Sequence, residues 1–307
     1  MPFLRVMPPA LLLVALACGP ASAHDPRVAL ERKEDRVVVT VDGKPFTECL
    51  FKTRRQPTLF PIHGPHGLTM TRSFPLGPEV NGESNDHPHH ESFWFGHGDV
   101  NGVNFWNGDG GVVQHVSLDH VGDGRVETTN RWVDPKGNVV CTDRRTFTFS
   151  TDGEDRIVDH AITFTASHGP LIFGATKEGT MAVRVHDALR VAGGTGHYRN
   201  SAGDRDAVVW GKPAAWVDLS GTLDGRPMGI ACFDHPDNVG FPNAWHARAY
   251  GLFAANPFFN KPAGRSGRVA LNEGQSLTLR HRWLFHAGDC EAARIADRHA
   301  AWARGSK

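Results

Sequence analysis

Four segments of this 307-residue chain hold the residues best suited to chemistry. The first, residues 85–106, has the sequence NDHPHHESFWFGHGDVNGVNFW. Pro88 argues against a central strand because proline cannot donate to a β-ladder. The segment is therefore predicted to be a loop, and loops on a rigid sheet often carry functional groups. Its candidate site residues are His87, His89, His90, Trp94, His97 and Trp106.

The H-x-H spacing of His87 and His89 permits more than one kind of chemistry. In extended backbone both imidazoles project from the same side, so they form a workable chelate for copper or zinc, with His90 or His97 as a third ligand. Without metal, the same imidazoles are suited to proton transfer. A third interpretation is structural, with the histidines hydrogen-bonded to the loop backbone. We expect no essential metal, because acidic and cysteine ligands at metal-site spacing are lacking.

The second segment, residues 173–185, combines a lysine, a carboxylate and an arginine. Lys177 and Glu178 lie between two glycines, and a strand over 181–185 would aim Arg184 away from its more apolar face. Such groups bind and protonate an oxygen-rich substrate. The alternative is a solvated turn with a structural ion pair.

The third segment, residues 229–259, repeats the Asp-His-Pro of the first at positions 234–236. It continues to WHAR at 245–248, where an aromatic ring, a titratable base and a cation are close together. Such a mixture suits sugars, because a pyranose face stacks on an aromatic ring while its hydroxyls take hydrogen bonds. The alternative is a set of core aromatics. The candidates here are His235, Trp245, His246 and Arg248, with His246 expected outside regular strand packing.

The fourth segment is the predicted strand over residues 277–285. His281 falls on its apolar face, and we interpret it as a hydrogen-bonded core histidine.

Composition and missing motifs limit the function classes. With 33 basic and 33 acidic residues the chain is neutral, so it is not an electrostatic binder of nucleic acid or a polybasic membrane binder. The sequence contains no G-x-S-x-G, P-loop, dinucleotide-binding or H-E-x-x-H motif. Oligomeric state is not indicated by any pattern.

The first 23 residues are predicted to be a removable signal peptide. Arg5 precedes a short apolar run, and Ala21-Ser22-Ala23 is a suitable cleavage site. We therefore expect export to the periplasm or the medium, with no membrane span. A lipoprotein anchored at Cys18 is the alternative, although the preceding residues form a poor lipobox. After export, four cysteines could form one or two disulfides. A large core favours the alternative, in which all four are buried free thiols. These cysteines are Cys49, Cys141, Cys232 and Cys290.

The elements that position these segments are predicted to be antiparallel strands. Alternating apolar and polar residues recur between Asp-Gly and Pro-Lys-Gly turns. Asp289 is a suitable N-cap for a helix over 290–303. Residues 24–307 are therefore predicted to form one all-β domain, a large antiparallel β-sandwich with one short C-terminal helix. By analogy, we compare it with the large two-sheet fold of sugar mutarotases. The predicted strands cover residues 37–41, 112–121, 125–133, 138–150, 157–166 and 277–285.

Together the segments resemble a bacterial, often exported family labelled "methane oxygenase PmoA". The matching strings are DHPHH, WFGHGDVNG, TKEG, WGKPAAWVDLSG and GIACFDHPDNVGFPNAWHARAYGLFAANPF, within roughly residues 60–286. We take the label as a name, because particulate methane monooxygenase subunits of that name span the membrane several times. The sequence departs from the family at Glu91, where a basic residue is common, and at Ala175, where aspartate is usual. The missing aspartate argues against a Lys–Asp proton relay at Lys177.

The resemblance implies a β-sandwich and, weakly, sugar chemistry. We expect a secreted carbohydrate-active enzyme of hydrolase, lyase or epimerase type, acting on a small-molecule or oligosaccharide substrate without a cofactor. A copper or zinc enzyme and a non-catalytic glycan-binding module are the alternatives. The expected catalytic residues are His89, His246, Glu178 and Lys177. The expected substrate-binding residues are His87, His90, Trp94, His97, Trp106, Arg184, His235, Trp245 and Arg248.

Overall fold

The computed structural model describes Met1 and residues 27–108, 110–260 and 266–305. The predicted signal peptide lies outside the described residues apart from Met1. The described elements are the strands β1 (Val28–Arg32), β2 (Arg36–Val41), β3 (Lys44–Leu50), β4 (Thr58–Leu59), β5 (Phe93–His97), β6 (Val112–Gly122), β7 (Arg125–Val133), β8 (Val139–Asp152), β9 (Asp155–Thr165), β10 (Leu171–Phe173), β11 (Gly179–Arg184), β12 (His197–Asn200), β13 (Trp216–Leu223), β14 (Arg226–Asp234), β15 (Ala244–Arg248), β16 (Leu252–Asn256), β17 (Val269–Leu271) and β18 (Ser276–Ala287), and the helix α1 (Ile295–Gly305).

Two eight-stranded antiparallel sheets form the body of the protein. The first has the order β1-β2-β3-β4-β5-β11-β16-β15, and the second has the order β12-β13-β14-β18-β9-β8-β7-β6. A small sheet pairs β10 with β17. This architecture confirms the predicted all-β antiparallel sandwich with a C-terminal helix.

One hydrophobic core fills the space between the two sheets. Val183 of the first sheet and Trp132, Ile162 and Trp283 of the second are fully buried members of it. Burial of such a side chain stabilises the fold by about 1.5–3 kcal/mol. Because alternate residues face the core, the remaining residues of each strand form two outer faces, and each outer face needs its own cover.

The outer face of the second sheet is partly covered by the C-terminal region. Phe233 and Leu284 pack there against Ile295 of α1. The helix begins later than predicted, because Arg294 has a left-handed φ of 52° and residues 289–293 form a turn in which Asp289 caps the amide of Ala292.

Three strands lie where irregular structure was predicted. Residues 93–97 form β5 in the middle of the first sheet, and residues 244–248 and 252–256 form β15 and β16. The loop prediction for residues 93–97 and the expectation that His246 lies outside a strand are therefore corrected. These strands are covered on both faces, so they lack the polar alternation that marks a half-exposed strand.

The four cysteines after the predicted signal peptide are buried free thiols. Within the part of the chain that the structure describes, no helix has both the length and the apolar character required to cross a membrane.

Several buried histidines make stability depend on pH. Burial lowers the pKa of His97 to about 4 and, with help from the charge on His235, that of His281 to about 3. It also lowers the pKa of His160 well below its usual value. The folded state therefore holds these imidazoles neutral, whereas the unfolded chain protonates them below pH about 6.5.

We expect the melting temperature to fall progressively as pH drops from about 6.5 towards 4, because the unfolded state then binds more protons. Thermal melts at a series of pH values test this. His160→Phe should flatten the profile, because that ring packs between Phe95 and Phe147. The control His168→Phe replaces an exposed imidazole and should leave the profile unchanged. A profile that is flat from pH 7.5 to 4.5 would contradict the explanation.

Candidate active site

Two buried arginines fix the histidine segment on the outer face of the first sheet. Nη1 of Arg72 and Nη2 of Arg184 both donate to Oδ1 of Asp86, each at 2.6 Å, and neither guanidinium is exposed. Burial and the charge on Arg184 lower the pKa of Arg72 to about 10 despite the bond to Asp86. Ser84 extends the contact, since its Oγ lies 3.2 Å from Nη2 of Arg184 and donates to Asp187. Residues 84–87 are therefore held at a fixed position over the sheet.

Four rings form a stack beside this anchor. His87 lies between Tyr250 and His90, with centroid distances of 4.7 and 4.8 Å and nearly parallel planes. His90 stacks in turn on Trp94 at 5.2 Å. His89 meets both neighbouring imidazoles edge-on. The faces of His87 are thus occupied by other rings, and its edge remains for a ligand, because its side chain is 38% exposed.

A row of four residues crosses the sheet under the stack. Register pairs Trp94 with Ala182, Ala182 with Ala254, and Ala254 with His246. The two alanines leave room for Trp106, whose ring lies 5.3 Å from Trp94 and 6.1 Å from His246. Small residues at the centre of the row therefore allow an aromatic layer to cover the sheet.

Charged and polar groups surround this layer. Lys177 and Glu178 form an ion pair, with 50% and 23% of their side chains exposed. The guanidinium of Arg248 lies 5.7 Å from the ring centroid of Tyr250. Arg248 and Tyr250 also line a pocket of about 390 Å³, together with Val191, Tyr198, Asp206, Ala207, Trp210, Ala247 and Ala249.

Three histidines of the site are held in the neutral form. Burial, followed by the charges of Lys177, Arg248 and His87, lowers the pKa of His246 to about 3. Burial and neighbouring positive charges likewise lower the pKa of His89 to about 4. His90 accepts a hydrogen bond at Nδ1 from Arg184 at 3.2 Å, which places its proton on Nε2 because a guanidinium can only donate. His89, His90 and His246 are therefore neutral at neutral pH.

His87 has a carboxylate partner and an unusual backbone. Its Nδ1 lies 2.9 Å from Oδ2 of Asp86, although the N–H does not point along the contact. Catalytic hydrogen bonds are often poorly aligned before substrate binds. The φ of His87 is 46°, and that of Ser92 is 61°. Left-handed backbone at a non-glycine residue costs free energy and is concentrated at functional sites.

The structure brings together most of the predicted site residues. These are His87, His89, His90, Trp94, Trp106, Lys177, Glu178, Arg184, His246 and Arg248. Their roles differ from those expected in two respects. Trp94 and Trp106 are each 1% exposed, so they offer no open stacking face, and Arg184, which was expected to bind substrate, is buried and holds the loop instead.

Three predicted residues lie elsewhere. His97 faces the core and donates from Nε2 to the carbonyl of Gly174 at 2.8 Å. Trp245 is also on the core side of its strand, since side chains alternate and His246 takes the outer face. His235 lies beside Trp302 of α1, at a ring distance of 5.1 Å. The second Asp-His-Pro thus belongs to a different region from the first.

Sequence reasoning missed four participants, namely Arg72, Asp86, Glu91 and Tyr250. Asp86 and Tyr250 belong to the strings DHPHH and HARAY, in which only the histidines and the arginine were considered as site residues. Glu91 is fully buried, and burial raises its pKa to about 7, although it accepts a hydrogen bond from Thr53 at 2.9 Å. Its neutral form is thereby favoured more than in an ordinary glutamate.

Among the described residues, no group of three or more His, Cys, Asp and Glu side chains is placed to hold a metal ion. His97 is separated from His87 and His89 by the sheet itself, so the ligand set considered from the sequence is not assembled. That metal is dispensable remains a prediction.

Comparisons with known proteins identify a family and remote structural likenesses. The profile of a family of unknown function, DUF6807, matches residues 36–300. No protein of curated function matches. A polysaccharide lyase aligns with 88% of this chain but only 34% of its own length, at 12% identity and a TM-score of 0.29. A galactose mutarotase related enzyme from Lactobacillus acidophilus aligns over 86% of this chain and 98% of its own, at 8% identity and a TM-score of 0.36. A protein from Synechocystis sp. PCC 6803 aligns over 85% and 96%, at 9% identity and a TM-score of 0.31.

The shared carboxylate should be essential for the position of the loop. Asp86→Asn leaves two buried guanidinium groups with a neutral partner, and we expect a loss of unfolding free energy of about 2 kcal/mol. Fully buried pairs lose about 3–5 kcal/mol, and the 42% exposure of Asp86 reduces the effect through solvent screening. Urea unfolding measures it.

Asp35→Asn is the matched control, because it weakens an exposed ion pair with Arg36. It should leave the unfolding midpoint nearly unchanged. Equal effects of the two substitutions would show that the buried arginines do not depend on Asp86.

Proposed function

This chain belongs to DUF6807, a family of unknown function, and we propose that it is a carbohydrate-active enzyme that works by acid–base chemistry. The observation that carries the proposal is the arrangement of His87. Its imidazole is held between two rings, contacts Asp86 at Nδ1 and keeps an exposed edge next to charged groups. A half-exposed, oriented imidazole with a carboxylate partner is suited to proton transfer.

The contact with Asp86 defines how His87 would act. Once substrate binding aligns a proton on Nδ1 with the carboxylate, Nε2 is free to accept a proton from substrate. The imidazolium that forms is stabilised by Asp86. Partial burial opposes ionisation of Asp86, but the charge on Arg184 and hydrogen bonds from His87 and Arg72 lower its pKa. Asp86 therefore stays ionised while His87 gains and loses a proton.

The other polar groups supply complementary functions. Glu178 is a carboxylate base on the same face, and Lys177 is its cationic neighbour. The neutral His89 is a candidate for hydrogen bonding to hydroxyl groups, whereas His246 is 2% exposed and lies beneath the aromatic layer. Proton transfer at a sugar carbon or at a glycosidic oxygen requires such an acid and base around one substrate.

The pocket beside Arg248 and Tyr250 supports a sugar-sized ligand. Its volume of about 390 Å³ falls at the lower end of the range of small-molecule sites. Aromatic walls and a few polar groups match the apolar faces and hydroxyl edges of a pyranose. Tyr250 also stacks on His87, so the pocket adjoins the proposed proton-transfer group.

His87→Gln should lower turnover by about a hundredfold or more while leaving the melting temperature within a few degrees, because it removes a titratable group and preserves polarity. Activity is measured on a panel of oligosaccharides, uronates and aldoses for hydrolysis, elimination and epimerisation. His168→Gln, at an exposed turn, is the control and should leave turnover and the melting temperature unchanged. Unchanged turnover in His87→Gln would exclude His87 as the acid–base group. Binding of glycans without any turnover would favour a glycan-binding module instead.

We propose in addition that the protein is exported and loses residues 1–23. Arg5, the short apolar run and Ala21-Ser22-Ala23 support this. Amino-terminal sequencing of protein from its native host should give a chain that begins at His24. A lipid-modified Cys18 at the amino terminus would contradict the prediction.

A further inference from the structure

We propose that the pocket beside Arg248 binds an anionic group carried on a sugar ring, so that the substrate is an acidic sugar such as a hexuronate. This inference rests on the proposed function, since it names the substrate class of that site. It is carried by groups in the pocket that can only donate hydrogen bonds.

The first such group is the guanidinium of Arg248. Arg248 is exposed, and no carboxylate among the described residues forms an ion pair with it. The guanidinium contacts the ring of Tyr250. A planar guanidinium binds a carboxylate through two parallel hydrogen bonds, which is the strongest ion pair that it forms. The other arginine near this face, Arg184, is already committed to Asp86.

The second donor is the indole of Trp210 in the same pocket. Its Nε1 atom is buried and has no acceptor, while its ring packs edge-on against Phe259 at 5.4 Å. An indole N–H can only donate, and a buried donor without an acceptor is unfavourable. Among the described residues, the wall of this pocket thus holds a guanidinium without a carboxylate partner and a buried indole N–H without an acceptor, which suits a ligand with several acceptor oxygens.

Asp206 is the acidic group of the pocket, and its oxygens already have donors. Oδ1 accepts from the amide of Tyr198 at 3.0 Å, and Oδ2 lies 3.4 Å from Nδ1 of His197. Asp206 can still accept from a sugar hydroxyl, because a carboxylate has more lone pairs than these two contacts use. The pocket thus offers an acceptor for hydroxyls and unmatched donors for an anion.

Tyr250 links this pocket to the proposed chemistry. It lines the pocket, lies below the guanidinium of Arg248, and stacks on His87 at 4.7 Å. Tyr250 is thus shared by the pocket and by the ring stack that holds His87.

The test is calorimetric titration of the full chain with D-glucuronate, D-glucose and D-glucose 6-phosphate. We expect at least one of the two anionic sugars to bind about tenfold or more tighter than glucose, as one charge-assisted hydrogen-bonded pair predicts. The tighter of the two identifies whether a carboxylate or a phosphate is recognised. The preference should shrink as salt is added.

Variants test whether the preference for anionic sugars comes from this pocket. Arg248→Gln should weaken binding of the anionic sugar by about tenfold or more and binding of glucose by less, so that the preference is lost. Trp210→Phe keeps the ring and removes the donor, so it should cause a smaller loss. Arg226→Gln removes an exposed arginine of β14 and serves as the control for net charge.

Equal binding of all three sugars, or an equal loss for all three in Arg248→Gln, would overturn the inference. The proposed function would survive that result if glucose still binds and His87→Gln still abolishes turnover. Absence of sugar binding together with absence of turnover that depends on His87 would overturn both.

Discussion

The site depends on one carboxylate shared by two buried arginines. Asp86 accepts from Arg72 and Arg184 at the same oxygen, and its other oxygen contacts His87. Two guanidinium groups removed from water are costly unless a counter-charge is placed close to them. The fold supplies this carboxylate from a loop, so the requirement of the arginines for an anion also fixes the loop over the sheet. Stability and the position of the candidate acid–base group thus have the same cause.

Burial, together with neighbouring positive charges, sets the protonation state of the histidines around His87. Burial is the main reason that His89 and His90 have low pKa values, and Arg184 and Arg72 add to it. The imidazoles that stack around His87 therefore contribute as neutral rings. Their packing restricts His87 to one plane, which limits the reorientation that its Nδ1–H needs to reach Asp86 when substrate binds.

The sequence predicts the fold better than the site. Strands such as β7 and β9 alternate visibly, because one face lies on the core and the other meets water. No such alternation marks β5 or β15, where both faces are covered, so their side-chain directions could not be assigned. Hence His246 and Trp245 were predicted on the same site, although the pleat sends them to opposite faces. The partners of Asp86 lie 14 and 98 residues away along the chain, and nothing local indicates which arginines would reach it.

Hydrogen–deuterium exchange with and without saturating D-glucuronate tests most directly whether this face is the ligand site. The account predicts that added protection is concentrated in residues 84–92, 176–180 and 206–210 and in β15 with the turn to Tyr250. The hairpins of the second sheet, for example residues 120–127, serve as the internal reference and should not change. Protection confined to the region of His235 and α1, with none around His87, would contradict the account.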